Sequence, residues 1–237
     1  MRVLALDTST RAGSVALVED GRVLAERAGD PSHTHTERLP VDALDLLAEL
    51  GWSTSDIDLF AVASGPGSFT GLRVGIATVQ GLAFVHGKRV VPVPALRALA
   101  EAAADGQPAG SKVAAWMDAH RHDVFSALYE ISAAGSDTVA TLIELDGPVV
   151  GSPAAALDRW RAAGLPQVLC GDGASMYASM VPGTTAVLPH PALAGIVGRL
   201  AGVMAAAGAA VMPAGVLPLY VRRPDAEAVR DAAQLKR

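Results

Sequence analysis

The chain of 237 residues holds one cysteine, Cys170. A lone cysteine excludes an internal disulfide and fits a reducing, cytoplasmic compartment. A basic excess is also missing: 19 Lys and Arg stand against 24 Asp and Glu, a net charge of −5. Neutralising phosphates takes clustered cations, which argues against a general nucleic-acid binder. The opening MRVLALDTST carries one positive charge and a short apolar run, without the longer apolar stretch and cleavage site of a secretory leader. The segment LAGIVGRLAGVMAAAGAAVM (193–212) approaches the length of a membrane span. Arg199 interrupts it and its many Ala and Gly make it only weakly apolar, so it reads as a buried helix. No H-E-x-x-H, C-x-x-C or G-x-S-x-G occurs. Cys170 sits in the hydrophobic VLCGD and reads as core, not as a nucleophile.

Hydrophobic residues make up 51% of the chain, enough for one large domain or two small ones. RVLALDTS (2–9) reads as a buried strand, and GSVALVEDGRVLAERAG (13–29) as a hairpin turning at Asp20-Gly21. Leu39, Ala43, Leu47 and Leu50 recur at helical spacing, with Leu46 beside them, and Gly51 closes that helix. Pro40 fits only near its first turn. DLFAVAS (58–64) is a strand, a helix runs from the glycine-rich segment to His86, and RVVPV (89–93) and ALRALAEAAA (95–104) follow as strand and helix. DGQPAG (105–110) is the best linker. Beyond it come two strands around an HRH turn, ATLIEL, the helix SPAAALDRWRAAG, the strand QVLCGD, a short helix from Ala174, the alanine-rich helix and a tail. The order β-β-β-α-β-α thus appears before the linker and, more loosely, after it. This predicts two related α/β lobes, each a mixed sheet with helices, over 1–104 and 105–237, with C-terminal helices packing back on the first lobe.

ASGPGSFTGLRVG (63–75) packs four glycines into thirteen positions. Its spacing is neither the dinucleotide fingerprint nor a P-loop, since no Lys-Ser or Lys-Thr pair follows. Free amides at the helix start are suited to an anion. Gly71 and Gly75 lie four apart, so they share one helix face, which Thr78 continues. A face without side chains admits a close neighbour, either another helix of the chain or a partner's. Leu72, Ile76, Val79 and Ala83 form an adjacent stripe suited to the sheet.

Other candidates each carry a functional and a plainer reading. Asp7, Thr8 and Ser9 either hold a metal–nucleotide complex or close a hydrogen-bonded turn. His33 and His35, or His120 and His122 beside Asp118 and Asp123, have zinc-like pairings but also fit solvated turns. In LYVRRPDAE (219–227), Arg222 and Arg223 suit a carboxylate or phosphate, or a solvated strand end.

LALDTST, ASGPGSFTGLRVG, VVPVPALRALA, MDAHRHDVFSALYE, LCGDGA and LYVRRPDAE occur in this order and together resemble the TsaB (YeaZ) family, from Arg2 to about Ala228. The resemblance implies the two-lobed fold of the actin, sugar-kinase and heat-shock ATPase superfamily. It implies a non-catalytic partner of TsaD, the subunit that transfers a threonylcarbamoyl group to the adenosine next to the anticodon of tRNA. TsaD-like chains carry two metal-binding histidines, four apart, on the helix that follows the strand resembling RVVPV. Ala95 and Leu99 stand at those positions here, and neither ligates a metal. The resemblance also implies a vestigial nucleotide site at Asp7, Thr8, Ser9, Gly171 and Gly173, binding weakly if at all and not required as a cofactor. A partner surface is expected on helices 39–50 and 69–85, through Leu39, Ala43, Leu47, Gly71, Arg73, Gly75, Thr78 and Leu82. It would meet TsaD or, without it, a second copy, with the ATPase TsaE as a further partner and tRNA touched only indirectly. An active ATPase or small-molecule kinase of the same superfamily is the alternative. A peptidase lacks both a metal pair and a nucleophile signature.

Overall fold

The computed structural model describes residues 1–30, 32, 34–133 and 140–222. β1 (Arg2–Asp7), β2 (Ser14–Glu19) and β3 (Arg22–Ala28) form an antiparallel meander. Asp20 and Gly21 both adopt positive φ at the β2–β3 turn, the geometry that Asp-Gly favours there. α1 (His35–Glu49) starts four residues before the apolar stripe, because Thr34 and Glu37 close a reciprocal capping box. Pro40 therefore lies in the second turn and removes one helical hydrogen bond. β4 (Leu59–Gly65) and β5 (Arg89–Pro94) extend the sheet in parallel, with α2 (Phe69–Val85) between them. The strand order is β3-β2-β1-β4-β5.

The second sheet repeats this plan. β6 (Lys112–Asp118), β7 (Val124–Ile131) and β8 (Leu142–Gly151) form a meander. β9 (Val168–Cys170) and β10 (Ala186–Leu188) continue in parallel from β6, giving the order β10-β9-β6-β7-β8. α4 (Pro153–Trp160) and α5 (Asp172–Met176) connect these strands.

Two further helices fill the space between the sheets and trade places relative to chain order. α3 (Ala95–Ala104) follows the first sheet yet packs on β6, β7 and β9. α6 (Ala194–Ala206) follows the second yet packs on the first sheet, from β1 to β5. Its N-terminal amides are held from that sheet: Ser14 Oγ accepts from Leu193 N (3.0 Å) and Ala194 N (2.9 Å), and the Glu26 carboxylate from Gly195 N (2.8 Å). Burying unpaired helix amides would be costly, so Ser14 and Glu26 fix where α6 docks. One apolar core, running from Val3 and Ala5 through Leu96, Leu99 and Val197 to Val113 and Phe125, joins both sheets. α1 and α2 cover the outer face of the first sheet through Leu39, Leu46, Leu47, Ile76 and Val79.

The alanine-rich segment forms a helix only to Ala206, after which Gly208 turns the chain at positive φ. Among the described residues, no helix is long and apolar enough to cross a membrane.

Candidate functional site

A cleft of about 1120 Å³ opens between the lobes. Its first-lobe wall is the β1–β2 turn (Ser9, Thr10, Arg11) and the start of α2 (Pro66–Gly71). Asp118, His120, Arg121 and Asp172 face it from the second lobe, and Leu219–Arg222 run along one side.

Asp7 ends β1 but is only 1% exposed and does not line the cleft. Its Oδ1 accepts from Ser9 N (2.9 Å) and Ser9 Oγ (2.6 Å), so it closes the hydrogen-bonded turn. Thr8 is wholly buried, and Ser9 alone of the three reaches the cleft wall. Asp118 ends β6 as Asp7 ends β1. It accepts from His120 N (2.8 Å), lies 3.1 Å from His120 Nδ1, and lines the cleft. The repeated pattern Leu-Asp-Thr and Met-Asp-Ala at the two strand ends was the sequence signal for it.

The glycines answer to neighbours within the chain. A Cβ on Gly65 would come within 2.8 Å of Leu219 O, and one on Gly67 within 2.4 Å of Ser9 O. At Gly71 it would meet Thr8 O at 2.2 Å, and at Gly75 Thr8 Oγ1 at 2.2 Å. The bare face of α2 is therefore filled by the β1–β2 turn. Gly71 and Gly75 are buried and present nothing to a partner, which corrects their assignment to an intermolecular face. Ser68 caps the helix, its Oγ accepting from Gly71 N at 3.2 Å, and its own N–H donates to Ser9 O at 2.7 Å. On the opposite flank, α1 grips the same turn. His35 Nε2 lies 2.9 Å from Thr10 O, Arg38 Nη2 lies 3.2 Å from His35 Nδ1, and the Arg38 guanidinium also bonds Ala12 O. Burial lowers the His35 pKa, with Arg38 adding to the effect against the Thr10 contact.

Gly171 and Gly173 have a similar explanation. A Cβ on Gly171 would meet Trp116 O at 2.0 Å, and one on Gly173 Met117 C at 3.0 Å. These glycines let α5 start against the β6 backbone. Asp172 between them lines the cleft and accepts from Asp118 N at 3.0 Å and Gly173 N at 2.8 Å.

Three more expectations on partner residues need correction. Leu39, Ala43 and Leu47 point into the core, as an apolar stripe on an outer helix must. Thr78 is half-buried, its Oγ1 donating to Val74 O at 2.8 Å, and Leu82 is half-buried against the core. Arg73 is exposed. The most exposed large apolar residues of the two helices are Val41 and Leu44 on α1 and Phe84 and Val85 on α2, between 55% and 79% exposed.

His120, Arg121 and His122 all adopt left-handed backbone, with φ of 58°, 56° and 64°. A turn of that hand does not align His120 and His122 as a strand would, so the strand geometry behind the zinc pairing is absent there. His33 and Arg223 lie outside the described residues. Among the described residues, no three metal-binding side chains cluster. Ala95 and Leu99 are wholly buried in the inter-sheet core. Cys170 is buried, its thiol pushed up to about 12 by desolvation. Arg222 donates to Ala119 O (2.6 Å) and pairs with Asp123. The aromatic pair Phe69 and Tyr220, stacked at 5.3 Å between centroids, was missed because its members lie 151 positions apart in sequence. The cleft thus offers hydroxyls, carboxylates and arginines. Ser9 is hydrogen-bonded to Asp7, while His35 is occupied by Thr10, so neither forms a nucleophile–histidine pair.

A family model described as TsaD, tRNA N6-adenosine threonylcarbamoyltransferase, matches residues 28–201. The chain is 41% identical over 130 residues to the Escherichia coli tRNA threonylcarbamoyladenosine biosynthesis protein TsaB, covering 55% of each chain. It superposes on the structure of YeaZ from Pseudomonas aeruginosa with a TM-score of 0.75 and 35% identity, over 92% of this chain and 99% of that one. The activator of 2-hydroxyisocaproyl-CoA dehydratase from Clostridium difficile, at 11% identity and a TM-score of 0.50, covers 88% of this chain and 97% of its own and shares the fold alone.

Proposed function

Because the chain belongs to the TsaB/YeaZ family, we propose that it serves tRNA N6-threonylcarbamoyladenosine formation as a non-catalytic partner of the transferase TsaD. The observation that carries the non-catalytic part is the pair Ala95 and Leu99. At the positions where the resemblance places the metal histidines, methyl and isobutyl groups are sealed into the core with no exposure. A metal would have neither ligand nor access there.

The partner surface is the outer side of α1 and α2, through Val41, Leu44, Arg73, Phe84 and Val85, the exposed residues and not the buried stripe. Large apolar groups at such exposure are the raw material of an interface core. TsaD occupies this face in the working assembly, a second copy covers it when TsaD is absent, and the ATPase TsaE joins the complex. The assembly works in the cytoplasm and meets tRNA chiefly through TsaD. The cleft takes nucleotide weakly, and assembly requires no cofactor.

Leu44→Lys and Phe84→Ser test the surface. Both sites are exposed, so the fold should keep its stability. Loss of an interface anchor of about 2 kcal/mol weakens TsaD binding about 30-fold. Unchanged affinity by calorimetry for both variants would place the surface elsewhere.

A further inference from the structure

The segment after α6 crosses from one lobe to the other. Val211 pairs with Val90 through two backbone hydrogen bonds, of 2.8 and 2.9 Å. Gln80 Nε2, on α2, donates to Pro213 O (2.9 Å) and Val216 O (3.1 Å). Leu219 N donates to Ser64 O at 2.7 Å, and Gly65 leaves room for the Leu219 carbonyl. Up to this point the segment belongs to the first lobe.

Tyr220 makes the last hold on that lobe. Its ring stacks on Phe69, and its hydroxyl accepts from Arg73 Nε at 3.0 Å. The Arg73 guanidinium in turn lies 3.9 Å above the Phe69 ring centroid. Two residues later the chain is fastened to the second lobe. Arg222 donates to Ala119 O and pairs with Asp123, both in the β6–β7 turn at the cleft's edge. Arg222 and Asp123 side chains are only 26% and 32% exposed, so water screens the pair incompletely.

The spacing gives these contacts their consequence. Two extended residues span at most about 7 Å, so the Tyr220 and Arg222 backbones cannot separate further. An opening that draws these two anchor points more than about 7 Å apart must break either the Tyr220 hold or the Arg222 hold. Arg73, which secures Tyr220, is itself exposed on the face of α2 that the proposed function gives to the partner. A partner carboxylate that took the Arg73 Nε–H would free the Tyr220 hydroxyl.

We propose that residues 219–222 form an interlobe strap, latched by Arg222, that sets the width of the cleft and transmits docking at Arg73 to the second lobe. The latch is a property of the chain alone. The transmission rests on the partner reading given above.

Spin labels on Arg11→Cys and His120→Cys, on opposite lips of the cleft, report its width by pulsed electron resonance. Buried Cys170 does not compete for label. The isolated chain should give one narrow distance distribution, and Arg222→Ala should lengthen and broaden it. In the unlabelled protein, Arg222→Ala should speed hydrogen exchange at the Ala119 and Asp123 amides about tenfold or more, the loss expected of a charge-assisted bond. Arg222→Lys keeps the charge but not the planar fork and should fall between. Distances and exchange identical to the unmodified chain would overturn the latch. Added TsaD should shift the distance in the unmodified chain, and in Tyr220→Phe it should bind without producing the shift. A chain that binds TsaD with no change in distance overturns the transmission. A chain that fails to bind TsaD overturns the proposed function, while the Arg222→Ala comparison still decides the latch.

Discussion

Helix α2 contains three glycines whose substitution by alanine should act in opposite directions. Gly71 and Gly75 face the β1–β2 turn, while Gly81 is exposed and a Cβ there would meet nothing within 4 Å. At Gly71 the obstacle is a backbone carbonyl, Thr8 O, 2.2 Å from the new atom. A backbone atom in a sheet-end turn cannot rotate away, so the upper end of the overpacking range applies, about 3 kcal/mol. Helix propensity returns about 1 kcal/mol. The net loss for Gly71→Ala is about 2 kcal/mol, a drop in Tm of about 4–8 °C for a chain of this size. At Gly75 the nearest atom is the Thr8 hydroxyl, also at 2.2 Å, with its methyl and Cβ at 3.1 and 3.2 Å. Thr8→Ala removes the first two atoms, so it should rescue Gly75→Ala but not Gly71→Ala. Gly81→Ala should gain about 1 kcal/mol, raising Tm by about 2–4 °C. Thermal and urea unfolding followed by circular dichroism, at two protein concentrations, measures all of these and separates any contribution from self-association. If Gly71→Ala left the isolated chain as stable as the original yet abolished TsaD binding, the glycine face would belong to the partner after all, and the packing argument would be wrong. Gly75→Leu, which an intermolecular face would tolerate as a folded but assembly-deficient chain, should fail to fold instead.

Two further outcomes follow from the same geometry. The Cys170 thiol, buried and pushed up to about 12, should resist alkylation by iodoacetamide in the native chain and react fully in urea; rapid native labelling would mean that the core around β9 is open. The His35 pKa is lowered by burial, so the unfolded chain binds the proton more readily. Its contribution to stability is therefore present above its unfolded value, about 6.5, and is lost as pH falls through the folded value. His35→Gln should shrink the difference in urea midpoint between about pH 7 and about pH 5, and an unchanged difference would assign the acid sensitivity to other groups.

Local chemistry was the most legible part of the sequence. The Asp20-Gly21 turn, the strand runs and the stripe Leu72, Ile76, Val79 and Ala83 each depend on neighbours within a few positions, and each lies in the structure where its spacing puts it. The repeated order of elements exposed the duplicated sheets for the same reason. What sequence spacing does not carry is direction in space. Gly71 and Gly75 announced a close approach, but not that the approaching atoms come from Thr8, more than sixty positions earlier. The stripe Leu39, Ala43 and Leu47 announced an apolar face, and the core claimed it. The surface signal lay in apolar residues off the stripe, Val41 and Leu44, where a solvated helix would carry polar groups. The left-handed turn at His120–His122 has no glycine to mark it, and the Tyr220–Phe69 contact has no local signature at all.

Threonylcarbamoyl transfer should need this chain without being performed by it. Reconstitution with TsaD, TsaE, threonylcarbamoyl donor and tRNA, assayed for the modified adenosine with and without this chain, tests it most directly. Modification is expected only when the chain is present, unaffected by Asp118→Asn or Asp172→Asn in the cleft and strongly reduced by Leu44→Lys with Phe84→Ser. Full modification without the chain, or modification by the chain with TsaD omitted, would contradict it.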